Sequence, residues 1–134
     1  MYYKTRAIVL HYTKYSETSV IAKIYTEKLG LQSYIVKGVR SAKSKSKAAM
    51  LQPLTLLEME VSHWENKGLQ FIKEFHRAFV YQSIPFDAIK STVSFFLLEV
   101  ISKTIREHEP NEGLFEFLFD AFCALDTEKK LNPD

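Results

Sequence analysis

"VRSAKSKSKAAM" occupies residues Val39–Met50. Its four cations, Arg40, Lys43, Lys45 and Lys47, are separated by Ser41, Ala42, Ser44 and Ser46, with no acid among them. Nothing in it repeats with a helix period, and nothing apolar could anchor it before Ala48–Leu51. It reads as a connection, so its meaning depends on what it connects.

Three β-like runs precede it. "KTRAIVLHYT" (Lys4–Thr13) and "TSVIAKIYTE" (Thr18–Glu27) are rich in β-branched and aromatic residues and are joined by the short polar turn "KYSE". Gly30 then leads into "LQSYIVKGV" (Leu31–Val39). Two more runs follow the segment. In "LQPLTLLEMEVSHW", Leu57, Met59 and Val61 alternate with Glu58, Glu60 and Ser62, the pattern of a strand with one wet face. After the turn "ENKG", "LQFIKEFHRAFVY" (Leu69–Tyr81) makes a fifth strand, with Phe71, Phe75 and Phe79 expected on one face and something packed over them. Five strands with the longest connection between the third and fourth make the OB layout. The basic segment is that connection, at a barrel rim where loops can carry function.

The period changes after Pro85. Ile89, Val93, Phe96, Leu97, Val100, Ile101 and Ile105 recur with helical spacing and predict an amphipathic helix. "EHEPNEG" ends it. Leu114, Phe115, Leu118, Phe119, Phe122 and Leu125 predict a second helix, with Asn111 as its cap and Glu112 in its first turn. The expected architecture is mainly β with appended α. A five-stranded OB-type Greek-key barrel would span residues 1–82, and two amphipathic helices would occupy 83–134 as the start of an α-helical domain. Those helices have apolar faces that two helices alone would cover poorly.

The net charge of +2 hides an asymmetry. Residues 1–50 hold ten Lys and Arg against Glu17 and Glu27, a net of +8, whereas residues 51–134 hold eight basic and fourteen acidic residues, a net of −6. A basic half suggests contact with phosphates. The single Cys123 excludes an internal disulfide and a cysteine zinc cage, and no stretch approaches a membrane span. A cytoplasmic, nucleoid-associated protein is expected.

Little in the sequence suggests catalysis. His11, His63, His76 and His108 lie in separate elements without metal spacing, and the four glycines form no phosphate loop. No cofactor is expected. Binding is better supported. OB-folds use the face of strands 2 and 3 with the flanking loops, and single-strand binders add stacking aromatics. The residues expected there are Arg6, Lys14, Tyr15, Lys23, Lys37, Arg40, Lys43, Lys45 and Lys47, with Tyr25, Tyr34, Trp64 and Lys67 nearby.

"TRAIVL", "YSETSVIAKIYTEKLGL", "YIVKGVRSAKSKS" and "LQPLTLLE" together resemble the N-terminal half of the RecO family of bacterial recombinational repair proteins. The matching positions are Arg6, Tyr15, Glu17, Thr18, Thr26, Glu27, Gly30, Lys37, Gly38, Arg40, Gln52 and Pro53, and the resemblance continues into "YQSIPFDAIKSTVSFFLLEV". Where the family often has Gly in the first loop, this chain has Ser16. The resemblance implies a non-catalytic protein that binds single- and double-stranded DNA and anneals complementary strands. With RecR it would help load a RecA-type recombinase onto DNA covered by single-strand-binding protein. The zinc module of many members has no cysteine set here. The rival reading is a scaffold whose basic loop contacts an acidic repair partner.

Overall fold

A computed structural model describes residues 1–39, 45–106 and 109–128. Arg40, Lys43, His108 and the polar tail lie outside the described residues. Five strands, β1 (Tyr2–Lys14), β2 (Val20–Thr26), β3 (Gly30–Val36), β4 (Leu56–Ser62) and β5 (Leu69–Phe79), close a barrel in the order β1-β2-β3-β5-β4. All pairings are antiparallel except β3 with β5. This is the expected OB-type barrel with appended helices.

The segment before β4 departs from expectation. Lys45–Met50 forms a short helix, α1. Ala48 and Ala49 favour helix locally, and Leu51 just beyond it is buried in the barrel core. Tertiary anchoring supplies what the missing helix period could not signal.

β1 is apolar on both faces. Ala7 and Val9 point into the barrel with Ala22, Ile24, Tyr34, Val36, Leu57, Met59 and Val61. Ile8 and Leu10 point outward, with Tyr25, Leu31 and Leu56, into a second core built by the helices. β1 carries a bulge against β2 between Val9 and His11. On its other side Val9 continues the pairing with the chain before β4, as Leu54 N–H donates to Val9 O at 2.9 Å and Val9 N–H to Thr55 O at 3.0 Å. Leu54 sits at φ 81°, a strained angle for a residue with a Cβ, and the Tyr81 hydroxyl donates to its carbonyl at 2.7 Å.

The β5 phenylalanines do not share a face. A bulge sets Phe75 opposite Met59 and Phe71 opposite Ser62, so the extra residue flips the alternation between them. Phe75 packs on the barrel core, Phe79 packs on the helical core, and Phe71 is exposed.

After a 3₁₀ turn at Ile84–Phe86 come α2 (Ala88–Thr104), capped by the Asp87 carboxylate, and α3 (Glu112–Thr127), capped by Asn111 as expected. Of its predicted stripe α3 buries Phe115, Leu118, Phe119 and Phe122, with Leu125 partly buried and Leu114 exposed, and Cys123 is half-buried against the same core. α2 buries only part of its predicted stripe, with Ile101 in the core and Leu97 and Ile105 packed against it. Its buried side is Lys90, Ser94, Leu98 and Ile101, and Ile89, Val93, Phe96 and Val100 are exposed.

The reason is polar. Lys90 is 1% exposed, and its ammonium donates to Ser83 Oγ at 2.9 Å and to the carbonyls of Asp126 (3.4 Å) and Glu128, at the end of α3. The buried Asp126 carboxylate in turn accepts the N–H groups of Gln82, Ser83 and Ile84, each at 2.8 Å. This reciprocal clamp turns α2 so that Lys90 faces inward.

Burial works to raise the Asp126 pKa, but the hydrogen bonds from Gln82, Ile84 and Ser83 outweigh it and hold it below the ordinary carboxylate value. A depressed carboxylate contributes stability above its unfolded pKa of 3.8, lost as pH falls through the folded value. Asp126→Ala should cost about 3 kcal/mol in chemical denaturation. Asp126→Asn should show a flatter fall of stability with acid than the wild type. A mutant and wild type with equal midpoints at neutral pH would remove the clamp from the account. The Tyr34 hydroxyl, buried in the barrel, finds no hydrogen-bond partner among the described residues. Tyr34→Phe should therefore leave stability unchanged or raise it by up to about 1 kcal/mol, read from the same denaturation midpoints.

Candidate nucleic-acid interface

Two outer surfaces of the barrel carry charge, and they differ. On the β1-β4-β5 side cations and acids interleave. Lys4 lies opposite Glu60 and Arg6 opposite Glu58 in the strand register. His76 Nε2 lies 3.0 Å from Glu58, and Lys73 Nζ lies 3.4 Å from Glu60. A cleft of about 420 Å³ there is lined by Lys4, Arg6 and Lys28 but also by Glu27, Glu58, Glu60 and Glu74. Phosphates would meet repulsion as well as attraction on this side.

The β2-β3-β5 side is different. Lys23 on β2 pairs in register with Ser33 on β3, and Lys37 follows the end of β3. The parallel pairing brings Phe71 beside Ile35, and the Lys37 ammonium lies 5.7 Å from the Phe71 ring centroid. Lys14 and Tyr15 are exposed at the β1-β2 turn, and Lys45 and Lys47 are exposed on α1. Ser16 closes that turn by accepting the Ser19 N–H on its hydroxyl at 3.1 Å. It is not among the residues with positive φ, so a serine serves where glycine is common.

Tyr25 and Tyr34 cannot act as stacking platforms, because both are buried. Tyr34 faces into the barrel, and Tyr25 lies beneath Phe115 with ring centroids 5.8 Å apart. The exposed ring on this face is Phe71, 44% exposed. Sequence reasoning missed it because the parity of β5 depends on a bulge and its neighbour depends on a non-local pairing with β3.

Arg6 stands apart from the other cations. Its guanidinium makes a two-pronged contact with Glu27, at 3.0 and 3.4 Å, and lies 4.6 Å from the Phe119 ring and 5.5 Å from Phe115. Its hydrogen bond to Glu27 raises its pKa against the opposing effect of burial. Its donors and its flat face are engaged in joining the barrel to α3. Arg40 and Lys43 lie outside the described residues, so the geometry speaks only for the cations around them. Among the described residues no group of three or more His, Cys, Asp or Glu converges as metal ligands would, and no helix is long and apolar enough to cross a membrane.

Comparison with known proteins agrees with this architecture. Residues 1–79 match the family profile "Recombination protein O N terminal", and residues 85–134 match "Recombination protein O C terminal". The chain is 44% identical over 133 residues to the DNA repair protein RecO of Flavobacterium psychrophilum, covering 98% of this chain and 56% of that protein. It is 41% identical over 129 residues to the DNA repair protein RecO of Bacteroides fragilis, covering 96% and 53%. The chain thus spans about half the length of the curated relatives it matches. With both profiles matched in order and the first alone spanning more than half of its residues, the chain belongs to the RecO family of DNA repair proteins.

Proposed function

We propose that this chain is a non-catalytic DNA-binding protein of recombinational repair that holds single- and double-stranded DNA on the β2-β3-β5 face and the adjoining rim. The observation that carries the reading is the segregation of charge. Lys23 and Lys37 lie on the β2-β3-β5 side with Phe71, and Lys14, Tyr15, Lys45 and Lys47 are exposed in the β1-β2 turn and on α1, with Glu17 in that same turn, whereas the β1-β4-β5 side interleaves cations with several glutamates. Arg40 and Lys43 belong to the same segment in sequence, lie outside the described residues, and are included on their charge alone. Residues 1–82 are the DNA-binding unit and residues 83–134 the start of a helical unit.

Phosphate contacts carry no base information, so the surface follows a strand without reading it. Two complementary strands repel through their phosphates, and a cationic rim that screens both speeds their meeting. Annealing follows from this, and recombinase loading in concert with RecR and single-strand-binding protein is what the likeness to RecO proteins implies. Arg6 serves this function from a distance, by holding α3 on the barrel.

The alternative of a scaffold for an acidic protein partner draws on the same cations, and salt and ring dependence separate the two. Fluorescence anisotropy with labelled single-stranded DNA should show affinity falling with salt at a slope near −0.7 per phosphate contact. Changing Lys14, Lys37, Lys45 and Lys47 together to Ala should remove most of the binding and flatten that slope. Arg6→Ala should instead lower the free energy of unfolding by about 1 kcal/mol and leave the slope unchanged. Absence of binding at low salt would sink the DNA reading and favour the scaffold.

A further inference from the structure

Trp64 is the sole tryptophan of the chain and stands on the β4-β5 turn, 52% exposed. The turn beneath it is firmly held. The buried Gln70 side chain accepts the Trp64 N–H and donates to the carbonyls of Trp64 and Lys67, each at 2.9 Å. The neighbouring His63 N–H donates to the Met1 carbonyl at 2.9 Å, and Asn66 turns the chain at φ 68°, a region asparagine tolerates better than most residues. Both backbone groups of Trp64 are therefore fixed while its large ring stays in water. A ring held out on a fixed backbone has little left to order on binding.

The surroundings suit a polyanion. The Lys67 ammonium lies 5.9 Å from the indole centroid, and a cleft of about 560 Å³ beside the ring is lined also by Lys28, Gln32, His63 and Pro110. Among the described residues Glu65 is the one acid in that lining. The cleft lies at the end of β3 away from α1, since Leu69, next after the turn, pairs with Ser33. From there β5 leads to Phe71 and Lys37.

We propose that Trp64 is a base-stacking platform on which single-stranded nucleic acid lays one base, while Lys67 and Lys28 meet the flanking phosphates. This rests on the DNA-binding reading above and extends it past the far end of β3. Every base has a π-face, so the platform is indifferent to sequence. A duplex keeps its bases stacked internally and gains nothing from the ring, so the platform favours single strands.

The lone tryptophan is its own probe. The chain would be titrated with oligo-dT of about 20 nucleotides, a length that exceeds the site of a single OB-fold. Tryptophan emission would be followed alongside anisotropy of the same labelled oligonucleotide. Emission should be quenched with the midpoint that anisotropy gives. Trp64→Ala should weaken single-strand binding about tenfold, Trp64→Phe should recover part of the loss, and duplex binding should change less than twofold. The ring is exposed, so these variants should fold, which their unfolding midpoints check. If DNA binds with emission unchanged and Trp64→Ala binds as the wild type does, the platform is refuted and the DNA reading survives, leaving the ring to a protein partner. If anisotropy shows no binding at low salt, both fall together.

Discussion

The structure depends on β1 being covered on both faces. Ala7 and Val9 complete the barrel interior, while Ile8 and Leu10 form the floor on which the helices pack. An antiparallel strand with one wet face would alternate apolar and polar residues, and this one cannot, because it serves two cores at once. The strand also closes the barrel by pairing with both β2 and β4. The helices are therefore part of the barrel's own burial, and their position decides which barrel surface remains open.

That position has consequences for the site. α3 covers Tyr25 and Leu31, at the end of β2-β3 nearest their turn. Gly30, at φ 72°, marks how close the approach is, since a Cβ there would stand 2.7 Å from the backbone of Glu109. The helices thus occupy one end of the β2-β3 face and leave Lys23, Lys37 and Phe71 beyond them. Arg6 joins the two parts through Glu27 and the rings of Phe115 and Phe119, an arrangement in which a planar guanidinium can pair and stack together.

The Lys90–Asp126 clamp sets the rotation of α2 and so determines what that helix shows to solvent. Phe96, at 67% exposure, and Ile89 and Val93, at helical spacing from it, are left in water on the outer side of α2. A buried ammonium satisfied by a hydroxyl and helix-end carbonyls is a demanding arrangement, and burying Lys90 leaves Phe96 outside.

The sequence by itself determined the order of five strands and two long helices, the OB layout, the α3 core stripe, the Asn111 cap and the family. Each of these is written in local periodicity, in turn chemistry or in motifs carried by neighbouring residues. The tertiary structure alone decided the rest. Whether Phe71 and Phe75 share a face depends on one extra residue in β5 opposite β4, and Lys45–Met50 becomes helical because Leu51 has a core to enter. Tyr34 is lost to the barrel interior and Arg6 to Glu27, since both outcomes depend on partners distant in sequence. The apolar stripe of α2 was legible as a stripe, but its direction was not. Periodicity fixes which residues lie together on a helix, and only the buried contacts of Lys90 fix which way they point.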